Sequence, residues 1–300
     1  MRFMALLAAG ALLCAAPVAP AAAKEQMTQA EADAVQLALD RGVLLYEFDQ
    51  AAWHATDAMM AAAKANGSED RLKSIGGGYV IEGNVEKQLV TFFDRGDVPR
   101  ALFRATRTRG STQVALTNLM DAPEALTPEQ LRLARERRAL FAEITAKKVL
   151  FCAEAIPNVA ILPATGASRA EVAYAMTPQT ALQVWPMGGH YRYTFRDGQP
   201  SDPRPFTKSC ISLTTDANGK GKPAALTITH LLDPTPTEIH VFTMLAANLP
   251  IYVMTQQNQK IWVVEYRDGQ ATIRLLDREQ LAQPAANPGK AQSPVSGATR

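Results

Sequence analysis

The sequence has almost no net charge, few aromatic residues and few cysteines. Its 300 residues include 31 lysines and arginines against 29 aspartates and glutamates, and only 7% are aromatic. Because these charges nearly cancel, the composition does not favour binding to nucleic acid. The mean hydropathy of −0.10 and the apolar content of 47% exclude both a disordered chain and a membrane protein with several spans. The composition therefore favours a globular protein with a buried core.

Long apolar runs are missing except at the start of the chain. Arg2 precedes an apolar stretch over residues 3–16, and three alanines at 21–23 precede Lys24. This order is typical of a secretory signal peptide over residues 1–23. An N-terminal anchor helix is the alternative, but the apolar run is shorter than the roughly 20 residues that a span needs. We expect an exported protein, periplasmic or secreted, with no membrane span after cleavage.

The remaining chain predicts a mixed α+β fold, with helices packed on a central mixed sheet. We divide it into an N-terminal α/β region over residues 24–125 and a C-terminal α/β domain over 126–282. The tail over 283–300 has the Pro, Ala and Ser composition of disorder.

In the N-terminal region, alanine and leucine content predicts helices over residues 28–39 and 50–65. Gly42 is expected to end the first helix, a short strand is expected over 43–48, and Asp49 would cap the second helix. The three glycines at 76–78 open a predicted strand, and they lack the Lys-Ser/Thr ending of a phosphate loop. Arginines alternate with Leu, Phe and Ala over residues 100–109, which predicts a strand with an exposed arginine face.

Four regions dominate the predicted C-terminal domain. A helix capped by Thr127 is expected to continue to about residue 155, and strands are expected over 171–176, 181–185 and 190–195. In the last of these, alternation places His190 and Arg192 on one face and Tyr191 and Tyr193 on the other, which we expect to be buried.

Residues 224–255 carry the densest set of signals. The pattern predicts a strand, a loop, a helix and a second strand, followed by a hairpin to a strand over 260–266. Thr235 is the expected N-cap, with Glu238 as the acidic partner of a capping box, and Asn248 is the expected stop. A direct hairpin through residues 233–236, which would bring His230 opposite His240, is the alternative.

Two cysteines remain after the predicted signal peptide, Cys152 and Cys210. In an oxidising compartment they are expected to form a disulfide, which would contribute about 3 to 4 kcal/mol through loop closure. The alternative is a nucleophilic Cys210 with His190 or His230 as its base, which requires a reduced thiol.

From residue 127 to residue 266, the order of elements resembles the JAMM (MPN-type) metallo-isopeptidase fold. That family binds zinc through His-x-His, a seven-residue spacer and Ser-x-x-Asp, and it uses an upstream glutamate as base. The resemblance implies that His230 takes the second histidine, Thr235 the serine, Glu238 the aspartate and Glu171 the upstream glutamate. Two departures stand out: Ile228 replaces the first histidine, and only residues 231–234 separate His230 from Thr235.

Two functions are compatible with these patterns. The first is a non-catalytic exported module, without a cofactor, that binds a peptide, a glycan or an envelope protein. The second is a zinc-dependent hydrolase, with His190, His230 and either His240 or Asp233 as metal ligands and Glu171 or Glu238 as general base. The absence of a complete ligand set favours the first, so we expect that the protein is not an enzyme. The oligomeric state has no signature in the sequence.

Overall fold

The computed structural model describes residues 26–164, 166–168, 170–215 and 223–277. The predicted signal peptide and the predicted tail over 283–300 lie outside these residues. Within them the chain is a mixed α+β fold, as its sequence predicts. The helices are α1 (Gln29–Ala65), α2 (Glu69–Ile75), α3 (Pro128–Ala146) and α4 (Glu238–Ala247). The strands are β1 (Gly76–Gly83), β2 (Lys87–Asp94), β3 (Arg100–Thr108), β4 (Ala115–Asn118), β5 (Glu124–Ala125), β6 (Asn158–Leu162), β7 (Val172–Met176), β8 (Val184–Pro186), β9 (Tyr191–Tyr193), β10 (Phe195–Arg196), β11 (Gln199–Pro200), β12 (Arg204–Pro205), β13 (Ser212–Thr214), β14 (Leu226–His230), β15 (Ile251–Thr255), β16 (Lys260–Arg267) and β17 (Gln270–Leu276).

The strands form three larger sheets. The first is antiparallel in the order β1-β2-β3-β4, with β5 also paired to β3, and the second is antiparallel in the order β12-β9-β7-β6. The third has the order β14-β15-β16-β17, and its first pair is parallel. Two short pairs, β8 with β13 and β10 with β11, complete the described strands. The predicted strand opening at residues 76–78 is confirmed, with an irregularity in register between Gly76 and Gly78.

Helix α1 is continuous through the region where two helices and a strand are predicted. Three predictions are therefore wrong: a helix end at Gly42, a strand over 43–48 and a helix cap at Asp49. Gly42 lies where α1 crosses α4, and a Cβ atom there would be 2.5 Å from Cβ of Val241. The glycine allows a close helix crossing instead of ending a helix. A short apolar run is compatible with a buried helix as well as with a strand, so periodicity alone misassigned it.

Helix α1 joins two hydrophobic cores. One contains Phe48 and Leu45 of α1 together with side chains from the first sheet and from β7. The other contains Val35 of α1, residues of α4 and Trp262 of the third sheet. A third core lies between α3, β1 and the second sheet. Because the first core contains residues from both sides of residue 125, the two predicted regions pack on a common helix.

Helix α3 begins as predicted and ends earlier than predicted. The hydroxyl of Thr127 accepts a hydrogen bond from the backbone amide of Gln130, as expected of the cap. The helix ends at Ala146 and not near residue 155. Lys148 has a φ of +49°, and the amide of Val149 donates to the carbonyl of Ile144 at 3.0 Å. This left-handed reversal, followed by a six-to-one hydrogen bond, is a Schellman ending, which a non-glycine residue conceals in the sequence.

The arginine-rich strand β3 is only partly an exposed arginine face. Arg107 is buried, and its guanidinium donates to the carboxylate of Glu47 at 2.6 Å and to the side-chain carbonyl of Gln88 at 3.1 Å. The expectation that these arginines share one exposed face is therefore wrong at Arg107. The buried partner Glu47 belongs to α1, where the sequence predicts a strand.

Candidate functional site: a polar cluster and a cleft that share helix α4

Strand β14, helix α4 and strand β15 form a βαβ unit, because β14 and β15 are parallel neighbours. The predicted strand, loop, helix and strand are thus confirmed, and the alternative direct hairpin is wrong. The helix starts two residues later than predicted. Thr237 is the N-cap, and the ring nitrogen Nδ1 of His240 accepts from its backbone amide at 3.0 Å. Asn248 ends the helix with a φ of +50°, as expected.

The carboxylate of Glu238 lies at the centre of a buried polar cluster. The hydroxyl of Tyr174 donates to its Oε1 at 2.8 Å, Arg192 donates to the same oxygen at 2.7 Å, and Nη1 of Arg41 lies 3.9 Å away. Burial, followed by the negative charge of Glu238, raises the pKa of Tyr174 well above its usual value. Burial disfavours the charge of Arg192, yet the carboxylate outweighs it and raises the pKa of that arginine. Glu238 therefore links Tyr174 and Arg192 through hydrogen bonds to one carboxylate oxygen.

A second carboxylate, Asp233, links His230 to Arg204. Its Oδ2 lies 2.8 Å from Nε2 of His230, and its Oδ1 accepts a short hydrogen bond from Arg204. Burial opposes ionisation of Asp233, but the hydrogen bond from His230 and the positive charge of Arg204 prevail and lower its pKa to about 2. The guanidinium of Arg204 also lies 4.5 Å from the centre of the Phe206 ring. His230, at the carboxyl end of β14, is thus hydrogen-bonded to a carboxylate that also pairs with Arg204.

His240 packs against His230 and does not chelate with it. The two rings are nearly perpendicular, with centres 4.8 Å apart. Burial lowers the pKa of His240 well below its usual value, so the ring is neutral near pH 7. Because Nδ1 accepts from the amide of Thr237, the proton of the neutral ring is on Nε2. Neither nitrogen then offers a lone pair to a metal ion without breaking the helix cap or moving that proton.

The other residues predicted for catalysis or metal binding lie apart from this cluster. Glu171 makes a bidentate ion pair with Arg132 of α3, at 2.9 and 2.8 Å. Its neighbours Ala173 and Ala175 face the core beneath α3, whereas Tyr174 faces Glu238, so Glu171 and Glu238 lie on opposite faces of β7. Among the residues described, no group of three or more His, Cys, Asp or Glu side chains could hold a metal ion. The structure does not bring Glu171, Glu238 and the histidines together as one set.

His190 instead lines a cleft that opens to solvent. The empty space of this cleft, with open solvent included, is about 410 Å³. Its lining residues come from α1, β6, β7, β8 and α4 and from the segments next to β7 and β9. Its lining comprises Asp49, Asn158, Met176, Thr177, Gln179, Trp185, Pro186, His190, Phe242, Thr243 and Ala246.

Two buried polar atoms on residues of this cleft have no hydrogen-bond partner within the described chain: Nε1 of Trp185 and Nδ1 of His190. The other ring nitrogen of His190, Nε2, lies 2.8 Å from the carbonyl oxygen of Pro186 and must donate to it. Burial lowers the pKa of His190 to about 4, so the ring is neutral and its Nδ1 is a bare acceptor near pH 7. Two residues that line the cleft therefore each carry one buried polar atom, a donor on Trp185 and an acceptor on His190, without a partner in the described chain.

The predicted disulfide is confirmed: Cys152 is bonded to Cys210. It braces the chain segment that leads into His190. A Cβ atom on Gly189, whose φ is +70°, would lie 2.9 Å from Sγ of Cys152 and 2.4 Å from the hydroxyl oxygen of Thr177. A Cβ atom on Gly188 would lie 2.8 Å from Cα of Cys210. The segment passes between the two half-cystines without room for a side chain, so the disulfide fixes the wall of the cleft. Because the sulfur atoms are bonded, Cys210 is not the free nucleophile of the alternative prediction.

No protein-family model, curated protein or solved structure matches the chain. The resemblance to the JAMM fold therefore remains a prediction. No helix in the described ranges is long and apolar enough to cross a membrane.

Sequence reasoning missed the residues that complete both sites. Arg41, Tyr174 and Arg192 surround Glu238, although no motif links a residue of α1 to strands of the second sheet. Arg192 carried a usable signal, because alternation in its strand placed it on the same face as His190. Tyr193 is buried on the opposite face, as predicted. Trp185 had a weaker signal, namely an aromatic residue directly before a Pro-Met-Gly-Gly turn.

Proposed function

We propose that this chain is a non-catalytic, exported binding module, and that its ligand enters the cleft between Trp185, His190 and helix α4. The single observation that carries the proposal is the pair of unpartnered buried atoms, Nε1 of Trp185 and Nδ1 of His190, on residues of a solvent-open cleft. Leaving a buried polar atom without a hydrogen bond costs about 1 to 3 kcal/mol. A ligand that supplies both bonds recovers this cost on binding.

The three carboxylates that the sequence suggested for catalysis or metal binding are already paired with other side chains, which supports a binding role. Glu238 accepts from Tyr174 and Arg192, Asp233 is held by His230 and Arg204, and Glu171 pairs with Arg132. A general base needs a carboxylate or imidazole with an accessible lone pair next to a substrate site. None of these three carboxylates lines the cleft.

Export is supported by the disulfide between Cys152 and Cys210, since such bonds persist in oxidising compartments. The signal-like residues 1–23 agree with it. In a rigid binding module, the disulfide would keep the cleft preformed and so reduce the entropy lost when a ligand binds.

The test is an NMR titration of ¹⁵N-labelled protein with a mixed panel of neutral tripeptides and neutral tetrasaccharides. We expect at least one panel member to shift the indole signal of Trp185 and the backbone amide of Ala246. Ala246→Phe, which fills the cleft, should abolish the shifts. The same substitution at Ala61, which is exposed on α1, should leave them unchanged.

Elemental analysis of protein purified without chelator separates the two predicted functions. A binding module of this kind should contain well under one zinc ion per chain. Stoichiometric zinc that disappears in a His230→Gln variant would contradict the proposal and favour the hydrolase.

A further inference from the structure

The third sheet ends in a long edge strand. Strand β17 pairs with β16 on one side, and no strand of the described chain pairs with its other side. Its register with β16 runs without interruption from Gln270 to Leu276. Thr272 and Leu275, in the interior of the strand, are partly exposed. The outer edge of β17 is therefore a candidate surface for pairing with a further strand.

The turn between β16 and β17 determines which backbone groups face outward. It has two residues, Asp268 and Gly269, both with positive φ, as in a type I′ hairpin. Such a turn is closed by a hydrogen-bonded pair, and hydrogen-bonded pairs then alternate along the hairpin. The even-numbered residues of β17 therefore direct their N–H and C=O groups to β16. The outward groups belong to Ala271, Ile273 and Leu275, and no backbone group elsewhere in the described chain bonds to them.

Most other sheet edges are short or protected, and β17 is neither. Strands β5 and β12 have two residues, β4 has four and β14 has five. Strand β1 opens with three glycines and an irregular register, and at β6 the carbonyl of Val159 accepts from Arg137. Natural sheets protect their edges with short strands, prolines, lysines or bulges. Strand β17 has seven residues and none of these features.

We propose that the outer edge of β17 pairs with β17 of a second copy of this chain, antiparallel about a two-fold axis beside Ile273. In this register Ile273 lies opposite its own copy, and Ala271 lies opposite Leu275 of the partner subunit. The three outward residues of each copy then form hydrogen-bonded pairs, which gives about six backbone hydrogen bonds. Any other antiparallel register leaves at least one of them unpaired. The inference goes beyond the proposed binding function and does not depend on the cleft.

The charges and the symmetry of the edge suit a second copy. A two-fold contact requires a surface that is complementary to itself, and the centred register meets this requirement. Thr272 would lie opposite Arg274 of the partner subunit, so no two charged residues face each other directly. Arg274 is the only charged residue of β17, and it already pairs with Glu265 of its own chain at 2.7 Å. The tail of the chain is a less suitable strand, because prolines at 284, 288 and 294 cannot donate to a ladder.

Sedimentation velocity of the purified exported protein, at about 10 µM to about 1 mM, tests for the dimer. One pair of strands buries less area than a standard interface, so we expect a weak dimer whose fraction rises with concentration. Thr272→Lys should weaken it about tenfold, the equivalent of about 1.4 kcal/mol. The introduced lysine would face Arg274 of the partner subunit at two symmetric positions. Within its own chain it would lie opposite Glu265, an attractive contact that leaves the fold intact.

Thr227→Lys is the matched control. Thr227 is exposed on β14, at the opposite edge of the same sheet. This substitution adds the same charge to the chain but places it away from β17, so the dissociation constant of the dimer should stay unchanged.

Disulfide cross-linking tests the register. Thr272→Cys and Arg274→Cys are prepared separately and are oxidised alone and as a mixture. Opposite residues of a non-hydrogen-bonded pair have Cα atoms about 4.5 Å apart, a distance that a disulfide can span. Only the mixture should yield a covalent dimer on a non-reducing gel, because in each variant alone the cysteine lies opposite another residue type. The native bond between Cys152 and Cys210 stays within one chain.

Three results would overturn the inference. A monomer up to about 1 mM would show that the edge pairs with no second copy and is open to another occupant, such as an extended peptide. A dimer weakened equally by Thr272→Lys and Thr227→Lys would depend on net charge and not on β17. A dimer without a cross-link in the mixture would use a different surface or register. None of these results bears on ligand binding in the cleft, which has its own test.

Discussion

The polar cluster around Glu238 and the cleft around His190 both bury polar side chains against helix α4, and they differ in how those side chains are satisfied. In the cluster, the carboxylate has fixed donors from Tyr174 and Arg192. In the cleft, Trp185 and His190 each keep one polar atom without a partner. Nη1 of Arg204 and Nε2 of His240, beside the cluster, also have no partner in the described chain, but neither residue lines the cleft. A buried charge with partners stabilises a fold only when the set is complete, whereas an unsatisfied neutral group gains free energy when a ligand arrives. The comparison separates a structural network from a candidate binding site.

The largest expected effect comes from removing the charge of Glu238. Glu238→Gln keeps the shape of the side chain but removes the negative charge that Arg192 and Arg41 face. Breaking a buried ion pair costs about 3 to 5 kcal/mol. We expect a loss of that size in the free energy of unfolding, measured by urea denaturation.

Glu171→Gln is the matched control. The side chain of Glu171 is 26% exposed, against 6% for Glu238, so its ion pair should contribute under about 1 kcal/mol. Equal effects of the two substitutions would break the comparison, because Glu238 would then be no more structural than a partly exposed carboxylate.

A smaller effect is expected from removing the disulfide. Replacing both Cys152 and Cys210 by serine should lower the free energy of unfolding by about 2 to 4 kcal/mol. Because the bond braces Gly188 and Gly189, the indole signal of Trp185 should also shift. Backbone amide signals near Glu238 should stay in place. Shifts of equal size at both places would show that the cluster and the cleft are not independent.

The smallest effect concerns the pH dependence of stability at His190. Its folded pKa of about 4 lies below the unfolded value of about 6.5, so the unfolded chain binds a proton that the folded chain refuses. Stability from this residue is therefore complete above pH 6.5 and decreases as the pH falls toward 4, by about 2 kcal/mol between pH 7 and pH 5.

Urea denaturation of the wild type and of His190→Gln at both pH values measures this contribution. The variant should lose about 2 kcal/mol less than the wild type on acidification. An NMR titration midpoint of His190 above pH 6 would contradict the prediction, because the ring would then be charged too easily to be a buried acceptor.

Much of the local structure follows from short-range chemistry. Thr28 accepts from the amide of Glu31 and Thr127 from that of Gln130, so both helices begin where a capping residue allows. The order strand, loop, helix, strand over residues 224–255 was also predictable from an apolar run and a capping pattern, whereas the parallel pairing of β14 with β15 came only from the structure. The predictions were wrong where long-range packing decides the local structure. Gly42 became a helix crossing, and Thr237 with His240 took over the cap expected at Thr235 and Glu238.

The same division applies to the candidate site. The sequence identified His190, His230 and Glu238 as notable, and the alternative hydrolase prediction combined them into one catalytic zinc site. In the fold, alternation along the strands and the position of α4 separate them: His230 and Glu238 join the ion-paired cluster, and His190 faces the cleft. Partners such as Arg41 are distant in sequence, and no local pattern predicts which strand a helix will cover.

By itself, the sequence determined the class of fold, the helix cap at Thr127 and the pairing of Cys152 with Cys210, because each depends on composition, neighbouring residues or a choice with one pairing. Only the tertiary structure decided that Glu238 would be enclosed by arginines and that Trp185 and His190 would each keep one polar atom unpartnered beside an open cleft. Hydrogen bonds and desolvation depend on which atoms meet in space, and residues far apart in the chain supply those atoms.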